Sequence, residues 1–174
     1  MQPTLYLMVG YPGSGKTTVA NHIHALTGAT HIWADKERVA LFGEPRFGSQ
    51  ESKQLYAKLN KRTVELLTQG KSVIFDTDFR FRKDRDHLRQ LAEEAGAHVK
   101  LVWLTTDKAL AMKRATEQAE DQPTRILGNM PVESFHRTAS HIEPPVDAEH
   151  PIKLNGVGVT REIVADAICL AKTS

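Results

Sequence analysis

The segment from Gly10 to Thr17, which reads Gly-Tyr-Pro-Gly-Ser-Gly-Lys-Thr, restricts the possible folds of this chain more than any other. It follows the apolar run from Leu5 to Val9 and leads into a helical pattern that begins near Lys16. Glycines allow several backbone N–H groups to turn toward one point, and the start of a helix adds the positive end of its dipole. A strand, a glycine loop and a helix in this order predict a cradle for the phosphates of a nucleotide.

The residue types of this loop also predict how the phosphates are held. We expect Lys16 to reach the β- and γ-phosphates and the hydroxyl of Thr17 to ligate Mg²⁺ as the cofactor. The predicted nucleotide-binding residues are Gly10, Pro12, Gly13, Ser14, Gly15, Lys16, Thr17 and Thr18.

Short apolar runs alternate with longer helical patterns along the whole chain, which is typical of a parallel α/β sheet. The predicted strands cover residues 5–9, 31–34, 72–75, 98–104 and 152–154. The predicted helices cover residues 16–26, 51–68, a segment ending at Gly96, a segment after Asp107, a segment opened by Pro131 and residues 160–172. We therefore expect one α/β domain over residues 1–174, with a parallel five-stranded sheet and helices on both faces.

Two stretches depart from this alternation. Residues 43–50 contain glycine and proline, and residues 113–130 are polar and charged without an apolar face. Ligands of α/β sheets bind beyond the carboxyl ends of the strands. We expect both stretches to fold over that edge, with residues 113–130 as a flap or lid.

Acidic residues follow two of the predicted strands. Asp76 ends the apolar strand of residues 72–75, where a carboxylate can hold Mg²⁺, and Asp78 could assist. Asp35 ends the second strand, where a carboxylate can accept the proton of an acceptor hydroxyl during phosphoryl transfer. The alternative for both Asp76 and Asp35 is a helix or turn cap.

With the glycine loop, these residues make the chain resemble the P-loop kinases, and in particular a small ATP-binding, AAA-type group. That group includes phage-type polynucleotide kinases, zeta-toxin-like kinases and antibiotic phosphotransferases. The resemblance implies a three-layer P-loop NTPase fold, ATP as substrate and a lid that carries arginines. A GTPase is disfavoured because the chain contains no Asn-Lys-x-Asp motif for reading guanine.

The resemblance also implies roles for individual residues. In the polynucleotide kinases an Asp-x-x-Arg motif supplies the base and an arginine that holds substrate phosphate, and Asp35 and Arg38 match that spacing. The alternative for Arg38 is a solvated arginine on a helix. In the lid, Lys113, Arg114 and Arg125 are available to clamp the transferring phosphate, and the resemblance favours Arg114 and Arg125 as catalytic residues.

A basic segment from Phe79 to Arg85 follows Asp76 and has two open interpretations. Cations near a helix N-terminus oppose the helix dipole, so Arg80, Arg82, Lys83 and Arg85 could instead bind an acidic or phosphorylated acceptor. They could equally form a solvated face paired with Asp84 and Asp86. Phe79 and Phe81 could stack a base or pack into the core.

Composition limits the remaining possibilities. The formal net charge of +2 gives no ground for inferring nucleic-acid binding from charge alone. Cys169 is the only cysteine, which excludes an intrachain disulfide and fits a reducing compartment. No targeting segment and no apolar run long enough to span a bilayer is present, so we expect a cytoplasmic protein without membrane contact.

The sequence therefore predicts an ATP- and Mg²⁺-dependent kinase that phosphorylates a hydroxyl. The favoured acceptor is a 5′-hydroxyl of a nucleic acid or nucleotide. The hydroxyl of a small metabolite or antibiotic is an alternative within the same chemistry. A non-catalytic ATP-binding switch or ATPase module is the alternative outside it.

Overall fold

A computed structural model describes residues 2–170 of the chain and contains one parallel sheet of five strands in the order β2-β3-β1-β4-β5. Each pair of neighbouring strands runs parallel. The strands are β1 (Thr4–Val9), β2 (Thr30–Trp33), β3 (Val73–Asp76), β4 (His98–Leu104) and β5 (Ile152–Leu154). The predicted fold class is confirmed.

Helices cover both faces of the sheet. They are α1 (Lys16–Thr27), α2 (Ala34–Phe42), α3 (Ser49–Thr68), α4 (Arg82–Glu94), α5 (Lys108–Thr116), α6 (Val132–Ser140) and α7 (Arg161–Leu170), with a short 3₁₀ helix at Asp147–Glu149. One apolar core lies between the sheet and α3 and α4, and a second lies between the sheet and α1 and α7. A smaller cluster joins α5 to α6 around Phe135. No helix within residues 2–170 is both long and apolar enough to cross a membrane.

Strand β1 is the centre of the sheet. Leu7 pairs with Phe75 of β3 on one side and with Leu101 of β4 on the other, and all three are buried. A strand covered on both faces must be apolar throughout, which explains the uninterrupted run from Leu5 to Val9. Because all strands are parallel, the segments after β1, β2 and β3 emerge at the same edge of the sheet.

The start of α2 differs from the prediction. Strand β2 ends at Trp33 and α2 begins at Ala34, so Asp35 lies in the first helical turn rather than at a strand end. The residue in the cap position is Trp33, and no side chain caps this helix. The interpretation of Asp35 as a helix cap is therefore wrong.

The irregular segment near residue 113 is shorter than predicted. Residues 113–116 form the last turn of α5, whose start is capped by Asp107 through bonds from the N–H groups of Ala109 and Leu110. Small side chains explain the longer helix, because Ala111 and Ala115 give α5 a buried face against Phe135. Only the stretch from 117 to 131 remains irregular. The end of the predicted last helix, residues 171–172, lies outside the described residues.

A fully buried ion pair connects α4 to the segment before β5. The guanidinium of Arg85 binds both carboxylate oxygens of Glu149, with Nε–Oε1 and Nη2–Oε2 distances of 2.7 and 2.9 Å. Its Nη1 also donates to the carbonyls of Phe79 and Glu143, each at 3.1 Å. The N–H of Val146 donates to Glu149, and the hydrogen bonds together with the Arg85 guanidinium lower the pKa of this carboxyl against the opposing effect of burial.

We predict that Arg85→Met lowers the free energy of unfolding by about 3–5 kcal/mol, because it leaves the Glu149 carboxylate buried without its partner. Denaturant unfolding would measure the change. Arg82→Met is the matched control on the same helix, because Arg82 is half exposed and its pair with Asp86 spans 3.5 Å. A loss in Arg85→Met no larger than in Arg82→Met would contradict the structural role of the pair.

Candidate active site

The glycine loop forms a closed turn between β1 and α1. The N–H of Ser14 donates to the carbonyl of Tyr11 at 3.0 Å, and α1 begins at Lys16 directly after Gly15. Gly13 has a φ of 78°, and a side chain there would collide with the Ala111 carbonyl of α5. The backbone of this loop therefore needs glycine for its conformation and for its close packing.

The loops after β4 and β5 pack against the cradle, a contact that the sequence did not predict. The hydroxyl of Thr106, after β4, donates to the carbonyl of Ser14 at 2.7 Å and accepts the N–H of Gly156 at 2.9 Å. A side chain at Gly156, after β5, would collide with the same Ser14 carbonyl. The loop after β5 is thus in contact with the phosphate cradle through Gly156.

Lys16 is held inside the cradle. Its Nζ donates to the carbonyls of Gly10 and Tyr11, each at 2.9 Å. It also lies 3.1 Å from Oδ1 of Asp78, and only about a tenth of the Lys16 side chain is exposed. The sequence suggested an assisting role for Asp78, but not this ion pair, because the two residues come from different strand ends.

Three carboxylates converge near Lys16. Burial raises the pKa of Asp35 to about 6, and the charges of Asp78 and Asp76 add to this shift. The positive charges of Lys16 and Arg125 act in the opposite direction. The structure therefore brings Asp35, Asp76 and Asp78 to the cradle, and it gives Asp35 the pKa of a carboxylate that can exchange a proton near neutral pH.

Asp76 is buried at the end of β3. Its Oδ2 lies 3.1 Å from Nε2 of His31 on β2, a partner that nothing in the sequence pointed to. Thr17, in the first turn of α1, and Asp76 and Asp78 together offer hydroxyl and carboxylate oxygens, the donors that Mg²⁺ prefers. No group of three or more metal-binding side chains of His, Cys, Asp or Glu type occurs among residues 2–170. This donor set fits an ion that takes one or two protein ligands and completes its shell with phosphate oxygens and water.

Arg38 is buried rather than solvated, so the interpretation as a solvated helical arginine is wrong. Its Nη1 lies 2.6 Å from Oε1 of Glu51, and its guanidinium stacks over the ring of Phe47 at 5.0 Å. The carboxylate of Glu51 also accepts the N–H groups of Arg46 and Phe47. Arg38 thus fastens the loop of residues 43–48 to α2 and α3, and its predicted role on substrate phosphate stays a prediction.

The two lid arginines face different parts of the site. Arg125 donates from Nη2 to the carbonyls of Ala115 and Gly128, and its Nε is buried without a hydrogen-bond partner among residues 2–170. Burial lowers the pKa of Arg125, while the charges of Asp35 and Asp78 oppose this shift. Arg125 is therefore close enough to the carboxylates to interact with their charge.

Arg114, in the last turn of α5, lies on the other side of the cradle. Its Nη1 donates to the carbonyl of Gly156 at 3.3 Å. It lines an open cavity of about 480 Å³ beside the loop, together with Gly15, Thr18 and residues 121–124. This cavity is continuous with the predicted phosphate-binding residues, and Arg114 borders it without contacting the carboxylates.

The basic segment after Asp76 does not act as one surface. Arg85 points into the core, so it is not available to bind an acceptor, and Phe79 is buried in the core as well. Arg80 and Lys83 lie over the ring of Phe81 at 5.8 and 5.5 Å. Arg82 pairs with Asp86 on the surface of α4.

We predict that Asp35→Asn stabilises the protein at pH 8. A folded-state pKa near 6, above the ordinary value of 3.8, means that ionising Asp35 opposes folding at pH values above 6. Removing that charge should raise the free energy of unfolding by about 2–3 kcal/mol at pH 8, and the gain should vanish below pH 4, where Asp35 is protonated in both states. Denaturant unfolding at both pH values measures it, with the exposed Asp166→Asn as control. A net destabilisation at pH 8 would contradict the charge repulsion.

Comparison with known proteins places this geometry in a family. The AAA domain family matches residues 5–145, which is most of the chain. No curated protein sequence is significantly similar to this chain.

Several solved structures share the fold at low sequence identity. A gluconokinase from Sinorhizobium meliloti is 21% identical with a TM-score of 0.68, over 97% of this chain and 91% of that chain. Kti12 from Chaetomium thermophilum, in complex with ADP-AlF₃, is 16% identical with a TM-score of 0.76, over 97% and 99%. The APS kinase CysC of Mycobacterium tuberculosis, in complex with AMPPNP and APS, is 15% identical with a TM-score of 0.67, over 97% of both chains. The glycine cradle, the parallel sheet and the family match agree, and the chain belongs to the AAA domain family with the fold of the P-loop kinases.

Proposed function

We propose that this protein is an ATP- and Mg²⁺-dependent kinase that transfers the γ-phosphoryl group of ATP to a hydroxyl acceptor. The observation that carries the proposal is the convergence of Asp35, Asp76 and Asp78 on the buried Lys16. Holding a nucleotide requires the cradle and a metal ligand. A further carboxylate, partly buried and with a pKa suited to accepting a proton, is needed when the attacking nucleophile must lose a proton, as a hydroxyl acceptor does.

The proposed reaction joins the oxygen of the acceptor hydroxyl to the γ-phosphorus while the bond from that phosphorus to the β–γ bridging oxygen breaks. Asp35 takes the proton of the hydroxyl, and the products are a phosphate monoester and ADP. Lys16 exchanges its ion pair with Asp78 for contacts to the β- and γ-phosphates. Arg125, held beside the carboxylates, offers its guanidinium to the charge that develops on the transferring group.

Mg²⁺ bound by Thr17 and Asp76 would neutralise charge on the β- and γ-phosphates of ATP. The remaining binding groups are supplied by the chain itself. The N–H groups at the start of α1 would bind the phosphates, and Thr106 and Gly156 hold the loop that presents these groups in place.

Two acceptor classes are compatible with this site. A 5′-hydroxyl of a nucleic acid or nucleotide is favoured by the exposed cations Arg82 and Lys83 and the half-buried Arg80, which follow β3. A small metabolite or antibiotic hydroxyl is favoured by the cavity that borders Asp78. A nucleotide-controlled switch would leave the proton-accepting carboxylate without a task. We place the whole activity in one domain of residues 1–174, and the single cysteine supports a cytoplasmic location.

We predict that Asp35→Asn retains Mg·ATP binding but lowers acceptor phosphorylation by about 10²–10⁴-fold, because the variant keeps the shape of the side chain and loses the proton acceptor. Calorimetric titration and transfer of labelled phosphate, measured on the same preparation, test the two halves. Lys16→Ala is the companion variant and should lose nucleotide affinity as well as turnover. Phosphorylation near the parent rate in Asp35→Asn would exclude Asp35 as the base, and a parent protein that binds ATP but phosphorylates no acceptor would favour the switch.

We predict that Arg125→Ala lowers kcat by about 10³-fold or more while the affinity for ATP changes little, because its charge acts on the transferring group. Arg114→Ala should mainly weaken nucleotide binding, because Arg114 borders the cavity next to the loop. Arg137→Ala, an arginine on the exposed side of α6, is the control and should behave as the parent. Normal turnover in Arg125→Ala would remove this residue from the catalytic machinery.

A further inference from the structure

A second cavity borders Asp78, the residue that pairs with Lys16. It has a volume of about 170 Å³ and is enclosed by α3, by the loop of residues 77–81 after β3, and by the first turns of α4. Tyr56 and Asn60 line it from α3, and Asp84 and His87 line it from α4. None of these four residues takes part in the phosphate cradle.

The inner wall of this cavity is rigidly built. Phe79 has a φ of 40°, a conformation that a non-glycine residue adopts only when its surroundings impose it. Here its carbonyl is held by Arg85, and its ring packs edge-on against Phe75 with centroids 5.0 Å apart. The hydroxyls of Tyr56 and Thr77 lie 2.8 Å apart, which ties α3 to the same loop. The cavity is therefore preformed by core interactions.

The cavity also borders the reacting groups. Asp78 forms part of its wall, and the Oδ1 of Asp78 lies 3.1 Å from the Nζ of Lys16. Burial raises the pKa of the Tyr56 hydroxyl, and the charges of both Asp78 and Asp35 contribute to this shift. A molecule in this cavity thus lies against Asp78, whose carboxylate contacts the lysine that would hold the γ-phosphate.

The lining predicts the chemistry of the occupant. Asp78 and Asp84 accept hydrogen bonds, Asn60 and Arg80 donate them, and the ring of Phe81 offers an apolar surface. Convergent polar groups beside an aromatic wall suit a ring that carries hydroxyls on its rim. The wall carries two carboxylates, Asp78 and Asp84, and one guanidinium, Arg80, so it offers no excess of positive charge to an anionic ligand.

Size and charge disfavour a polynucleotide as the occupant of this cavity. With a volume of about 170 Å³, the cavity accommodates one ring rather than several nucleotides. Phosphodiester groups would also approach the carboxylates of Asp78 and Asp84, and like charges at close range repel.

We propose that this cavity is the acceptor site, and that the acceptor is a single neutral ring with several hydroxyls, either a monosaccharide or a nucleoside. The inference rests on the proposed kinase function and narrows its substrate. One hydroxyl of the ring forms the bond to the γ-phosphorus, its proton passes to Asp35, and ADP leaves with the bridging oxygen. The product is a sugar phosphate or a nucleoside monophosphate.

The test uses the full chain with common monosaccharides, the four ribonucleosides and a 5′-hydroxyl oligonucleotide as probes. Phosphate transfer from labelled ATP and ligand binding by saturation-transfer NMR, in the presence of a non-hydrolysable ATP analogue, are measured side by side. Asn60→Leu removes a polar group from the cavity wall. We expect it to raise the KM for the acceptor at least tenfold without changing ATP affinity, because the acceptor loses a hydrogen bond. Gln54→Leu, on the exposed face of the same helix, is the matched control, and His87→Leu is a second cavity variant should Asn60→Leu fail to fold.

Transfer to a monosaccharide or nucleoside that weakens in a cavity variant but not in Gln54→Leu supports the inference. Transfer to the oligonucleotide alone, or to a small acceptor with unchanged KM in both cavity variants, overturns it. If a monosaccharide or nucleoside binds the parent protein more tightly than the cavity variants but is not phosphorylated, the cavity is a site for that ligand class and the proposed kinase function is wrong. If the protein binds ATP and neither binds nor phosphorylates any ring compound, the acceptor inference fails.

Discussion

The parallel pairing of β1 with β3 and β4 is the constraint on which the rest of the structure depends. It places the glycine loop after β1 beside Asp76 and Asp78, which follow β3. The neighbouring pairing of β2 with β3, in which Trp33 lies opposite Asp76, brings the start of α2 and thus Asp35 to the same edge. Parallel strands end together, so groups that are far apart in the chain converge at one edge of the sheet.

The converging carboxylates oppose folding, and nearby positive charges offset part of their repulsion. Burial and the charges of Asp78 and Asp76 raise the pKa of Asp35 to about 6, so ionisation of this half-buried carboxyl opposes folding. Lys16 reduces the repulsion through its contact with Asp78, and Arg125 contributes a further positive charge. Active sites commonly lower the folding stability of a protein, because the charge arrangement that favours a reaction also destabilises the folded state.

The buried pair of Arg85 and Glu149 fixes the loop that follows Asp78. Arg85 fixes the carbonyl of Phe79, whose left-handed backbone conformation directs the chain after Asp78 into α4. A fully hydrogen-bonded ion pair is worth little as a source of stability, but it defines one geometry when both partners are present. In this domain the pair fixes the loop of residues 77–81, which contains Asp78 and lines the cavity beside α3.

The AAA domain family accounts for the fold, while the sequence identities to solved P-loop kinase structures, 15–21% for those compared, show the fold alone. In the proposed function, the nucleotide side of the site is constrained by the phosphates that the glycine loop holds. The proposed acceptor cavity is lined by α3, α4 and the loop of residues 77–81 and includes no residue of the glycine loop, so its side chains can change without altering the cradle. Under this proposal, acceptor choice depends on the residues that line the cavity.

The features that could be predicted from the sequence alone are those that depend on residues close together in the chain. The glycine loop, the bounds of β4 and β5, and the cap formed by Asp107 follow from residues only a few positions apart. The tertiary structure alone decided the ion pair of Lys16 with Asp78, the contact of His31 with Asp76, and the buried pair of Arg85 and Glu149, which are 64 residues apart. It also decided that Arg38 is buried and that residues 113–116 are helical, because both depend on partners from other segments. Local propensity and motif spacing carry no information about which distant side chains meet, and the packing of the sheet and its helices supplies that information.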